Sequence, residues 1–166
     1  MVVVYKDIFT GHELISDSYE LEEKYEGCAY FVKSQKVTEE ALDLGIETED
    51  GDDQAAEGER VNNIVHFFNY TETTYKKKEY MTYIKGYMKK VLSELEGDEE
   101  KSALFKSQAQ NIVKYVLANI KEIDFYSNQD GNEDGMVIPG VWTGEEGPND
   151  GPTMIYFTHG LKGEKY

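Results

Sequence analysis

Cysteine is almost missing from this chain: Cys28 is the only one in 166 residues. It has no companion for an internal disulfide and no Cys-x-x-Cys pattern for structural zinc, which fits a reducing compartment. Basic residues are scarce too. Lys and Arg number 17 against 33 Asp and Glu, a formal net charge of −16. Such a surface repels phosphate backbones and anionic lipid, so nucleic-acid binding through overall charge is disfavoured. No apolar run approaches the roughly 20 residues a membrane span requires. The start, Met1 to Asp7, turns acidic too soon for a secretory signal, and a cytoplasmic location is expected. Gly-x-Ser-x-Gly, Gly-x-Gly-x-x-Gly and phosphate-loop patterns are all lacking, and the three histidines, His12, His66 and His159, are scattered. Neither a nucleophilic enzyme nor a nucleotide-binding one is recognisable, and no cofactor is required.

Hydrophobic residues fill 39% of positions. A chain of this length buries roughly 70% of its unfolded surface, enough for one core, so a single domain over residues 1–166 is expected. Short β-type runs recur at Val2 to Tyr5, Tyr30 to Val32, Val61 to Phe68, Val137 to Val141 and Met154 to Phe157. Turn residues such as Gly11, Gly27 and Gly151 separate them, which predicts one antiparallel or mixed sheet. Between Lys36 and Arg60 no basic residue occurs, while ten acidic ones do, from Glu39 to Glu59. Such a segment does not bury itself, and a mobile acidic loop over residues 38–60 is expected.

The strongest periodic signal is helical. From Tyr80 the apolar positions Tyr83, Ile84, Tyr87, Met88, Val91, Leu92 and Leu95 follow the spacing of one dry helix face. Gly97 supplies a stop, and Asp98 caps a second helix with Glu99 and Glu100 in its first turn. That helix carries Phe105, Ala109, Ile112, Val113, Val116, Leu117 and Ile120 on one side. The two stripes predict an antiparallel helical hairpin over residues 75–122.

Charge separates along the same boundary. Lys76 to Lys121 holds ten basic residues against six acidic, whereas the rest holds seven against 27. Lys78, Lys85 and Lys89, spaced seven and four apart, fall in one stripe on the polar side of the first helix. A solubilising helix face reads as well as a contact surface, but acid alone would also solubilise. An excess of positive charge on one arm is what an acidic partner, such as a tubulin tail, would be steered to. Calcium is a further candidate. Asp130-Gly131-Asn132-Glu133-Asp134-Gly135 resembles the start of an EF-hand loop, with Asp130, Asn132 and Asp134 as oxygen ligands. Position twelve is Val141 instead of the bidentate Glu, and Pro139 opposes the following helix, so an acidic glycine-rich turn or a weak site are the two readings.

Several stretches carry a resemblance to a known family. These are Tyr5-Lys6-Asp7-Ile8-Phe9-Thr10, Glu13-Leu14-Ile15-Ser16-Asp17-Ser18-Tyr19, Lys78 through Met88, Val116-Leu117-Ala118-Asn119-Ile120-Lys121 and the terminal Gly160 to Tyr166. In order and spacing they resemble the translationally controlled tumour protein family over essentially the whole chain. The resemblance implies an α+β fold: a β-tent core like that of the Rab-binding proteins, an inserted antiparallel helical hairpin and a flexible acidic loop. It also implies a non-enzymatic cytoplasmic regulator of growth that binds small GTPases of the Rheb and Rab type, associates with microtubules, binds calcium and takes anti-apoptotic partners; a monomer is expected. The family's GTPase-contacting glutamate falls on Glu13, and its microtubule-associated segment on the hairpin. A calcium-binding buffer or chaperone-like protein acting through acidic loops is the alternative. The family's death-regulator-like segment falls on Ser16 to Gly27, where Lys24 and Glu26 replace its anchors.

Overall fold

A computed structural model describes residues 2–38 and 60–165. The expected acidic loop, apart from its flanking residues, falls on 39–59 and lies outside the described residues. Two antiparallel sheets and a helical pair enclose the core. The smaller sheet has the order β10-β1-β2, from Leu161–Lys165, Val3–Asp7 and Glu13–Ser16. The larger runs β3 (Glu22–Lys24), β4 (Ala29–Thr38), β9 (Asp150–Phe157), β8 (Ile138–Val141), β7 (Ile123–Ser127) and β6 (Thr71–Thr73), with β5 (Arg60–Asn62) added to β4. The single sheet expected from the β-type runs is therefore two, and among the described residues every pairing is antiparallel.

Two local expectations are corrected. The run Val61 to Phe68 is not one strand: β5 ends at Asn62, and α1 (Asn63–Phe67) follows. Asn62 is the reason, because its side-chain oxygen accepts from the amides of Ile64 and Val65 at 3.0 and 3.1 Å and starts a helix where β-branched composition favoured a strand. Gly151 lies inside β9 and not in a turn. A Cβ there would stand 2.4 Å from Ser34 Oγ and 2.5 Å from Asn62 Nδ2, so glycine permits that close packing.

The hairpin forms as its periodicity dictates. α2 (Lys77–Glu94) buries Tyr80, Ile84, Tyr87 and Val91, and α3 (Glu99–Ala118) buries Phe105, Ala109, Ile112 and Val116. Asp98 caps α3 through its carboxylate and the Lys101 amide at 3.1 Å, and Gly97 takes φ +97° in the connecting turn. The pair is docked and does not stand clear of the body. Tyr87 meets Phe9 and Phe157, Phe105 meets Phe157, and Tyr115 meets Phe31, with ring centroids 5.7 to 6.3 Å apart. Aromatic pairs at these separations contribute beyond simple burial.

Candidate partner-binding surfaces

Glu13 opens β2 and is exposed. Its register partner on β1 is Lys6, so the two side chains share one face of the small sheet. Lys6 Nζ also reaches Glu164 on β10 at 2.8 Å. The register passes from Tyr5↔Ile15 to Lys6↔Glu13, which leaves Leu14 as the extra residue of a bulge. Leu14 is wholly buried and its carbonyl accepts from the Tyr70 hydroxyl, which in turn meets Tyr156 Oη at 2.6 Å. The bulge thus pins β2 to the core while Glu13 stays in solvent.

Lys78, Lys85 and Lys89 are all exposed, on the side of α2 opposite its buried stripe. The first turn of α2 concentrates the charge further. Lys76, Lys77 and Lys78 stand at the positive end of the helix dipole, where cations are disfavoured, and Glu79 offsets them by accepting from the Lys76 amide at 2.9 Å.

The acidic turn lies between these two regions and is tied to both. Asp130 meets His12 Nε2 at 3.0 Å. Lys90 Nζ donates to the Asp134 carbonyl while lying 4.5 Å from the Phe9 ring centroid. Asn132 Oδ1 accepts from Asn128 Nδ2 at 3.0 Å and from the Asp134 amide at 3.2 Å, so this oxygen is engaged within the turn. Among the described residues, no group of three or more His, Cys, Asp or Glu side chains converges on a common metal position.

Sequence reasoning passed over the residues that hold this arrangement together. Asp7 is buried, and its carboxylate accepts from the Phe9 amide at 2.8 Å and from the Met136 amide at 2.6 Å. The Tyr83 hydroxyl donates to the Gly135 carbonyl at 2.6 Å and accepts from the Val137 amide at 2.9 Å. Burial pushes that phenol far above its ordinary range, so it stays a protonated donor throughout the neutral range. The available signal was an acidic residue closing an otherwise β-type run, and a tyrosine on the dry side of a helix.

The chemistry around Cys28 is inert. Its side chain is buried, and burial followed by the charge of Glu26 raises the thiol, which withholds the thiolate a nucleophile needs. Among the described residues, no helix is long and apolar enough to cross a membrane.

A sequence model of the family described as translationally controlled tumour protein matches residues 1–162. A translationally-controlled tumor protein homolog from Schizosaccharomyces pombe is 39% identical over 172 residues, spanning 99% of this chain and 100% of that protein. One from Saccharomyces cerevisiae is 36% identical and spans 99% of each. Among solved structures, the translationally controlled tumor-associated protein of S. pombe matches with a TM-score of 0.77 at 38% identity, covering 99% of both chains. The Caenorhabditis elegans protein matches with a TM-score of 0.69 over 99% of this chain and 98% of that one; at 24% identity it bears on the fold alone.

Proposed function

The chain belongs to the translationally controlled tumour protein family, and from that premise we propose that it is a non-enzymatic cytoplasmic binding protein with two separate contact surfaces. The Glu13-bearing face of the small sheet engages a small GTPase of the Rheb or Rab type. The lysine stripe of α2 engages an acidic partner, tubulin or the microtubule surface. No cofactor is needed, and calcium is at most a weak ligand of the Asp130 turn. The observation that carries this reading is the placement of Lys78, Lys85 and Lys89 in solvent along one side of a docked helix, on a protein whose net charge is −16. Lys78 stands with Lys76 and Lys77 at the positive end of the helix dipole, where cations cost stability, Lys85 and Lys89 carry the stripe towards the middle of the helix, and an acidic partner neutralises all of them.

The test is microtubule co-sedimentation with Lys78→Glu, Lys85→Glu and Lys89→Glu combined. These residues are exposed, and acid near the start of α2 suits its dipole, so the variant should remain folded. Binding should fall ~10- to 100-fold at low salt, at about 0.5–1 kcal/mol per charge, and the wild-type interaction should weaken with added salt. Unchanged binding removes the stripe from the proposal. For the other surface, Glu13→Val should weaken capture of a Rheb-type GTPase several-fold, and equal capture ends that assignment. Calorimetry with calcium separates the buffer alternative, which requires heat of binding below millimolar metal.

A further inference from the structure

The basic hairpin carries its acid at one end. Five of the six acidic residues between Lys76 and Lys121 fall within the seven positions after Ser93: Glu94, Glu96, Asp98, Glu99 and Glu100, all exposed. Three of them serve the fold. Asp98 caps α3 through the Lys101 amide, and Glu99 and Glu100 stand at the positive end of that helix. Glu94 and Glu96 do the opposite. They sit at the carbonyl end of α2, where negative charge is disfavoured, and no basic residue in its last turn offsets them. Neither carboxylate has a hydrogen bond or an ion pair among the described residues. The stability of the fold gives no reason for these two acids.

What they flank is a serine. Glu94 stands one position after Ser93 and Glu96 three, where a kinase with a basic substrate groove selects by charge. Among the described residues, three other hydroxyls have an acid three positions on: Thr10, Ser127 and Thr143. Each is withheld by its surroundings. Thr10 is half-buried, and its Oγ1 accepts from the His12 amide at 3.3 Å. Ser127 is 1% exposed. The Thr143 hydroxyl donates to Glu146 at 2.7 Å, so the acid that would be read is folded back onto its own target. Of the four, Ser93 is the one that is exposed with its hydroxyl uncommitted.

The chain at Ser93 enters a kinase groove without opening the core. Val91 is the last buried residue of α2 and Phe105 the first of α3, with none buried between them. The bonds that close the turn are short-range, from the Leu95 amide to the Leu92 carbonyl at 3.1 Å and from the Asp98 amide to the Leu95 carbonyl at 3.0 Å. A helix end held this way belongs to the part of a structure that opens most readily.

We propose that Ser93 is a phosphorylation site, modified by an acidophilic serine/threonine kinase with ATP as co-substrate. The Ser93 oxygen forms a bond to the γ-phosphorus, the bond from that phosphorus to the bridging oxygen breaks to release ADP, and the hydroxyl proton passes to the kinase's base. The phosphate brings a charge of about −1.5 to −2 at neutral pH. It enters a groove of about 510 Å³ that Ser93 shares with Glu96, Glu99 and Lys106. Acid outweighs base there, and the carbonyl end of α2 repels anions, so the modification loosens the hairpin turn.

The test uses the folded full chain with casein kinase 2 and magnesium ATP. One phosphoryl group should be incorporated and map to Ser93 by fragment-ion mass spectrometry, and Ser93→Ala should lose it. Glu96→Gln removes an exposed, unpaired carboxylate, so it should keep the wild-type urea midpoint while the initial rate falls about tenfold or more. In the modified protein, amide exchange should quicken several-fold from Ser93 to Lys101 and stay unchanged in both sheets. Four results each overturn the proposal: Ser93 left unmodified in the native protein, including labelling of the denatured chain only; incorporation at Thr10, Ser127 or Thr143 in its place; equal rates for Glu96→Gln and wild type; or unchanged exchange at the turn once Ser93 is fully modified. Both substitutions leave Glu13, Lys78, Lys85 and Lys89 in place, so failure here leaves the two-surface reading intact.

Discussion

Phe105→Ala should lower the stability of the protein by about 3–5 kcal/mol, read as a fall in the urea midpoint with unchanged slope. Phe105 is wholly buried on α3, and its ring packs against Phe157 of β9 at 6.3 Å and against His159 at 5.4 Å. It therefore joins the hairpin to the larger sheet, and its loss removes transfer free energy and leaves a cavity. A second readout follows from His159. Burial, and then the charge of Lys101, holds its imidazole below the ordinary range. An unfolded chain takes up that proton first, so His159 reduces stability as pH falls through the ordinary histidine range. Admitting water beside it in Phe105→Ala should move its titration upward, and an unmoved imidazole resonance in an NMR titration would show that Phe105 does not shield it.

Asp7→Ala should cost about 2–4 kcal/mol, although it removes no apolar packing. It strands the Phe9 and Met136 amides, which now donate to the two carboxylate oxygens, and a buried donor without a partner costs about 1–3 kcal/mol. Gly135→Ala should be comparably destabilising, because its Cβ would stand 2.0 Å from Asp7 Oδ2. Combined, the two changes should cost less than their sum, since the methyl of residue 135 enters space the carboxylate has left. Strict additivity in a double-mutant cycle would show that the two groups do not share that space. Amide exchange should quicken from Gly135 to Val137 in each single variant, because this segment is the tie between the small sheet and α2.

How much of this was legible differs by element. The hairpin was the clearest case: 3.6-residue spacing, a positive-φ glycine at position 97 and an aspartate cap are local signals, and local energetics decide helix ends. The strands were less clear. β2, β3 and β10 are short, at four, three and five residues, β3 and β10 are mostly polar, and nothing in their own composition identifies the neighbours that complete them. The run Val61 to Phe68 was misread because one side chain, that of Asn62, outweighed the β-branched composition around it. The lysine stripe needed only helical geometry to be seen. Asp7, His12, Tyr83 and Lys90 were invisible because each acts on a residue at least 44 positions away in the chain.

The order of residues alone settled the family, the α+β class, the helical pair and the gathering of positive charge on it, since these depend on composition and on periodicities within a few turns. Folding decided the rest: that the β-type runs divide into two sheets, that a buried carboxylate and a phenol fasten the acidic turn between the Glu13 sheet and the lysine helix, and that β10 ends the smaller sheet beside β1. Register, burial and edge position arise only when distant segments compete for the same neighbours, and no local signal encodes which of them wins.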